Sequence, residues 1–146
     1  MDDIEQIKQL KARYFRFMDG KDWAGYRSVF TDDVLFDVRG GMEATAPGRE
    51  YAEPPITGAD EAVAFIRDGL QHLTSAHQGF LPEIELTGPD TARGIWAMTD
   101  VLRAGEGAPF RTVRGYGHYH EEYRRIDGRW RIAKLRLTRL LVDIES

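Results

Sequence analysis

The stretch Gly117-His118-Tyr119-His120-Glu121-Glu122-Tyr123-Arg124-Arg125-Ile126-Asp127-Gly128-Arg129-Trp130-Arg131-Ile132 reads as two extended runs around a two-residue turn. Asp-Gly suits a turn whose two central residues both need positive φ, so Asp127-Gly128 predicts a tight antiparallel hairpin. Working outward, the flanking segments extend from Pro109 to Ile126 and from Arg129 to Asp143. Two further extended runs precede them, His77 to Leu86 and Thr91 to Ala104. Gly88-Pro89-Asp90 and Gly105-Glu106-Gly107 punctuate the series. Four long strands joined by short turns predict an antiparallel meander.

The first half is helical. Asp3 can cap a helix with Gln6 three residues on, and Ile4, Ile7, Leu10, Tyr14, Phe17 and Met18 recur as one apolar stripe. Gly20 suits the left-handed position that ends it. Asp22 can cap a shorter helix that turns Trp23, Tyr26, Val29 and Phe30 inward, and Thr31-Asp32-Asp33 breaks it before a short strand, Val34 to Val38. From Arg39 to Thr57 the pattern dissolves into a long loop, a lid or a cover over a cavity. A third helix follows, from about Ala59 to His72. Helices first and a curled sheet afterwards is an α+β arrangement. The expectation is one domain over residues 1–146, a curved antiparallel sheet wrapped around the N-terminal helices as a cone-shaped barrel.

Bulk properties narrow the function classes. The chain has 146 residues, 42% hydrophobic and 30% charged, with a formal net charge of −4. An acidic balance without a basic run argues against nucleic acid or an anionic membrane as partner. With no cysteine, disulfides, thiolate metal sites and cysteine nucleophiles are excluded. Met1-Asp2-Asp3 is not a secretory start, and no apolar run approaches the roughly 20 residues of a membrane span. A cytoplasmic location is the default expectation.

Several polar residues fall where the patterning calls for apolar ones. Asp19 lies in the last turn of a helix, where the macrodipole disfavours an acid; it is either functional or a solvated turn residue. His77 opens a strand and titrates near neutrality, as a general base must. Asp100 shares a strand face with Trp96 and Met98, so alternation points it inward, where an acid needs a partner. That partner is either a substrate or an arginine such as Arg139, itself set among leucines. Tyr14 lies on the helical stripe, as a core tyrosine or as a donor to a substrate oxygen. Tyr119, with Gly115 and Gly117 on its face, lines the cavity or packs. His118 and His120 share a face but lack a third ligand, so no metal site is expected.

These strings resemble the SnoaL-like branch of the nuclear transport factor 2-like superfamily of α+β cones. The resemblance rests on Ile7-to-Asp19, on Asp22-to-Asp37 with Phe30-Thr31-Asp32-Asp33, on His77 before Pro82-Glu83-Ile84, and on Gly117-His118-Tyr119 through Ile132. The polar set is most similar to that of bile-acid 7α-dehydratase-type enzymes: Tyr14 and Asp19 five apart, then His77, Asp100 and Arg139. Scytalone dehydratase and hexachlorocyclohexane dehydrochlorinase are similar and use an Asp–His pair in the same region. The dehydrochlorinase carries Lys where Tyr14 stands.

The resemblance implies a cofactor-independent, dehydratase-like lyase acting on a hydrophobic, carbonyl-bearing small molecule. His77, oriented by Asp19, is then the base. Tyr14 and Asp100 assist catalysis, while Arg139, Trp96, Met98 and Tyr119 contact substrate. It also implies pairing into a homodimer or homotrimer. An isomerase or polyketide cyclase would use the same residues, and a non-catalytic ligand-binding or oligomerisation module of the same fold is the contrasting alternative.

Overall fold

The computed structural model describes residues 1–41 and 51–146. Residues 42–50 of the expected lid therefore lie outside the described residues. The first helix, α1 (Asp3–Asp19), is capped by Asp2 rather than Asp3: the Asp2 carboxylate accepts from the Glu5 amide at 2.8 Å. Asp3 is engaged elsewhere, with Arg125 at 2.8 Å and the Trp130 indole at 3.1 Å. Ile7, Leu10, Tyr14 and Met18 form the buried stripe, and Lys11 is buried among them. At the other end Gly20 stays right-handed (φ −81°), and Lys21 takes the left-handed turn instead (φ 58°). The Lys21 ammonium donates to the Leu73 carbonyl at 2.7 Å, which ties this turn to the sheet.

The Asp22 carboxylate caps α2 (Trp23–Ser28) through the Gly25 amide. Strand β1 (Phe30–Asp37) begins four residues earlier than expected: Thr31-Asp32-Asp33 stays extended inside a register irregularity. A short β2 (Ile56–Thr57) pairs antiparallel with β1, and α3 (Ala59–Leu70) ends two residues before His72. The meander follows as β3 (Leu73–Gly88), β4 (Thr91–Ala104), β5 (Thr112–Ile126) and β6 (Arg129–Glu145). Pro109 lacks an amide hydrogen and stands outside the ladder. Asp127 and Gly128 make the expected turn, with φ 52° and 77°. His77 is the fifth residue of β3, not its first, because Leu73 to Ala76 already pair with Val101 to Ala104.

The sheet order is β2-β1-β6-β5-β4-β3, with β1 parallel to β6 and the other pairs antiparallel. It curves without closing. β3 bends where register shifts between Phe80 and Glu83, with Leu81 at φ 41° beside Pro82. Inside the curve, the α1 stripe meets Trp96, Met98, Tyr119, Tyr123, Ile132 and Leu135 from the sheet. Edge-on aromatic contacts run through this core: Tyr26–Phe30 at 5.0 Å, Phe30–Phe36 at 5.7 Å and Tyr14–Tyr119 at 5.7 Å. Fully burying each such side chain contributes about 1.5–3 kcal/mol. Among the described residues no helix is long and apolar enough to cross a membrane.

Candidate active site

One end of the curved sheet is left open. A cavity of about 540 Å³ lies there between α3, the end of α1 and the sheet. Its wall is mostly apolar, with Met18, Phe36, Phe65, Leu70, Leu102 and Phe110 among its members. His77 and Arg139 are polar groups on the same wall, and Arg39 and Glu53 stand there too. An oily chamber with a few convergent polar groups suits a small organic ligand.

The end of α1 delivers Asp19 to β3. The Asp19 carboxylate accepts from the His77 backbone amide at 2.7 Å and from the Ser75 hydroxyl at 2.8 Å. His77 Nδ1 lies 2.7 Å from Asp19 Oδ1. The carboxylate offers only acceptors, so this contact assigns the proton to Nδ1 and leaves Nε2 with a free lone pair. The nearest acid to Nε2 is Asp100 Oδ2 at 3.6 Å, too far for a hydrogen bond. The two are placed by register, since His77 and Asp100 are direct partners across β3 and β4.

Asp100 is held from its far side by Arg139, at 2.6 Å to Nη1 and 3.0 Å to Nη2. Both side chains are nearly inaccessible, at 4% and 3%. Arg139 also donates through Nε to the Gly41 carbonyl at 2.8 Å and through Nη1 to the Met98 sulfur at 3.3 Å. Of its five N–H groups, one on Nη2 has no partner among the described residues. Gly115 makes room for the pair: a Cβ there would overlap the Arg139 guanidinium and the Asp100 carboxylate. Asp19, His77, Asp100 and Arg139 are thus brought together beside the cavity.

The other expected site residues are elsewhere. Tyr14, Trp96, Met98 and Tyr119 are all buried and are not among the described residues lining the cavity. Tyr14 packs against Tyr26, Phe30 and Tyr119, and burial pushes its hydroxyl and that of Tyr119 well above the usual phenol pKa. The Trp96 indole donates to the Tyr123 hydroxyl at 2.9 Å, and Met98 reaches the site only through its sulfur contact with Arg139. On the outer face, His120 bonds Thr138 at 3.0 Å, with the His118 ring 6.2 Å away.

Two features escape the patterning argument. Ser75 holds Asp19 and could have been found as the residue two before His77 on the same strand face. The second is a sealed ion pair, Lys11 Nζ to Glu121 Oε2 at 2.6 Å, with both side chains at 0% exposure. Lys11 lies 3.7 Å and 3.6 Å from the ring centres of Tyr14 and Tyr119, and Tyr123 donates to Glu121 at 2.6 Å. Desolvation drives the Lys11 pKa down to about 8 against the pull of Glu121. The signal was present: Lys11 is four residues from Ile7 on the stripe, and Glu121 alternates with Tyr119 and Tyr123.

A family model for SnoaL-like domains matches residues 1–136. The chain belongs to the SnoaL-like family. Among its relatives is a probable cyclase of Gibberella zeae, 28% identical over 136 residues that cover 92% of this chain and 89% of the relative. The fold recurs in the Kfla4162 protein from Kribbella flavida, with a TM-score of 0.82 at 20% identity, covering 97% and 93% of the two chains. It recurs also in a hexachlorocyclohexane dehydrochlorinase from Novosphingobium barchaimii, with a TM-score of 0.75 at 19% identity, covering 96% and 88%. At these identities the two structures speak for the fold alone, a SnoaL-like cone.

Proposed function

We propose that this SnoaL-like protein is a dehydratase-like lyase that uses the Asp19–His77 pair on a hydrophobic carbonyl compound and needs no cofactor. The observation that carries this reading is the free Nε2 of His77 on the wall of an apolar cavity, with Nδ1 held at 2.7 Å by Asp19. In the proposed reaction, Nε2 takes a proton from the carbon beside the carbonyl and the electron pair moves onto the carbonyl oxygen. The enolate then re-forms the carbonyl, a carbon–carbon double bond forms, and the β-hydroxyl leaves. The departing oxygen recovers the proton from His77 and is released as water. Asp19 steadies the imidazolium as it forms.

Arg139 supplies the donor toward the substrate oxygen, through the Nη2 proton that has no partner among the described residues. Tyr14 is buried among aromatic rings, so Arg139 takes over that role. Asp100 holds the guanidinium in place. Positioned proton transfer of this kind contributes ~10²–10⁴-fold. A second reading draws on the relative named as a probable cyclase. There the same proton abstraction would create a carbanion that attacks a second carbonyl, closing a ring through a new carbon–carbon bond.

The test is exchange of the α-proton in D2O, followed by NMR, over a panel of bicyclic aromatic ketones and their β-hydroxy derivatives. Wild-type protein should catalyse exchange or water loss, and His77→Ala should abolish both without altering the fold. Ketones that fill the cavity yet neither exchange nor eliminate would identify a binding module instead.

A further inference from the structure

A second hollow, of about 550 Å³, lies at the other end of α1 and, among the described residues, shares no lining residue with the candidate active site. One face of α1 contributes Gln6, Gln9 and Arg13, and the start of β6 contributes Arg129 and Arg131. The helical spacing places Gln6, Gln9 and Arg13 on one side, and the Asp127-Gly128 turn brings the two β6 arginines up beside them. No acid lines this hollow among the described residues. The chain as a whole carries a net charge of −4, yet three guanidinium groups gather at this one hollow.

Asp2 caps α1 and Asp3 serves Arg125 and Trp130, so neither of these acids is paired with the hollow's arginines. Arg13, Arg129 and Arg131 make no side-chain hydrogen bond or ion pair among the described residues. The Arg131 Nε is itself buried and has no hydrogen-bond partner among the described residues, so the outer nitrogens of that guanidinium are the ones turned to the hollow. Three guanidinium groups gathered without an acceptor repel one another and favour an anion between them.

We propose that this hollow binds the phosphoryl dianion, free or as a small phosphate ester. Planar guanidinium donors match phosphoryl oxygens in pairs, and a dianion with three terminal oxygens uses three such groups where a carboxylate would use fewer. The volume leaves room for an organic portion beside the phosphate. Neither the chemistry of His77 nor its substrate enters this inference.

The probes are inorganic phosphate and glycerol 3-phosphate, titrated at constant ionic strength into full-length protein and followed by amide NMR shifts. Saturable shifts should appear at Arg13, Arg129 and Arg131, with affinity lowered about tenfold or more in Arg131→Gln. Arg13→Gln, an exposed helical position, should weaken binding too and guards against a folding defect at Arg131. Arg93→Gln, paired with Glu85 outside the hollow, should leave binding unchanged. Tighter binding of glycerol 3-phosphate than of phosphate assigns an ester, and equal binding assigns the free ion. Shifts that grow linearly, that acetate or chloride reproduces, or that persist in both hollow variants would overturn the proposal.

Discussion

Among the described residues, two buried pairs of a lysine or arginine with a carboxylate stand in the interior, and they are built differently. Asp100–Arg139 stands beside a cavity, next to an imidazole with an uncommitted nitrogen. Lys11–Glu121 is sealed by aromatic rings, and its acid is claimed on both oxygens, by lysine and by tyrosine. Burial of charge alone therefore does not mark chemistry. What separates the two, among the described residues, is an unsatisfied valence beside the cavity: one N–H on Arg139 and one lone pair on His77. The sealed pair acts as a polar keystone of the core.

The sharpest test of that contrast is loss of turnover without loss of fold. Once a substrate is in hand, His77→Ala and Asp19→Asn should each lower kcat/KM by ~10²–10⁴-fold. Melting curves near that of the wild type should accompany the drop, and a collapse of the fold would move this pair into the structural class.

The sealed pair should show the opposite phenotype. Lys11→Met alone strands a buried carboxylate and should cost about 3–5 kcal/mol in urea unfolding. Adding Glu121→Leu should recover much of it, because an apolar replacement removes both charges. If the single change is nearly silent, the core tolerates the charge and the keystone picture fails.

A smaller effect is expected where the open pair depends on space. Gly115→Ala pushes a methyl group into Arg139 and Asp100, an overpacking that costs about 1–3 kcal/mol. Turnover should fall more than stability accounts for, measured by comparing kcat/KM with the urea midpoint. Equal losses would mean the pair only supports the fold.

The mildest signature is in pH. In the folded chain Lys11 releases its proton near pH 8, against 10.5 ordinarily. Between these values the unfolded chain binds the extra proton, so stability gains a rising contribution as pH increases through that window. Above about pH 10 the buried phenols of Tyr14, Tyr119 and Tyr123 act in reverse, since their raised pKa values keep them protonated when the unfolded chain ionises. Unfolding free energies from pH 7.5 to 10 should show the rise in wild type and lack it in the Lys11→Met/Glu121→Leu double variant.

Much of the architecture was legible because it is written in local periodicity. The α1 stripe and the three turns of the meander, Asp127-Gly128 among them, all depend on neighbours in sequence. Asp19 and His77 were legible for a related reason, as polar residues at helix and strand positions where apolar or neutral ones fit better. Their contact across 58 residues is a tertiary fact that periodicity alone does not contain. The early start of β3 was hidden because Leu73 to Ala76 gain their strand character from pairing with β4. The retreat of Tyr14 and Tyr119 from the cavity was hidden as well: a stripe shows which face is inward, not which inward residues border empty space. The burial of Lys11 is not legible in the stripe, because a lysine among apolar neighbours normally reaches the surface.

The bend in β3 has a consequence for life at high concentration. β3 forms one rim of the sheet, and an unprotected rim invites a neighbouring molecule to add its own strand. Pro82 offers no amide hydrogen, and the kink at Leu81 breaks the straight run of donors and acceptors that such an addition requires. The same distortion that helps curl the cone thus also hinders ribbon-like polymerisation, and replacing Pro82 with valine should speed fibril or aggregate growth in concentrated solution.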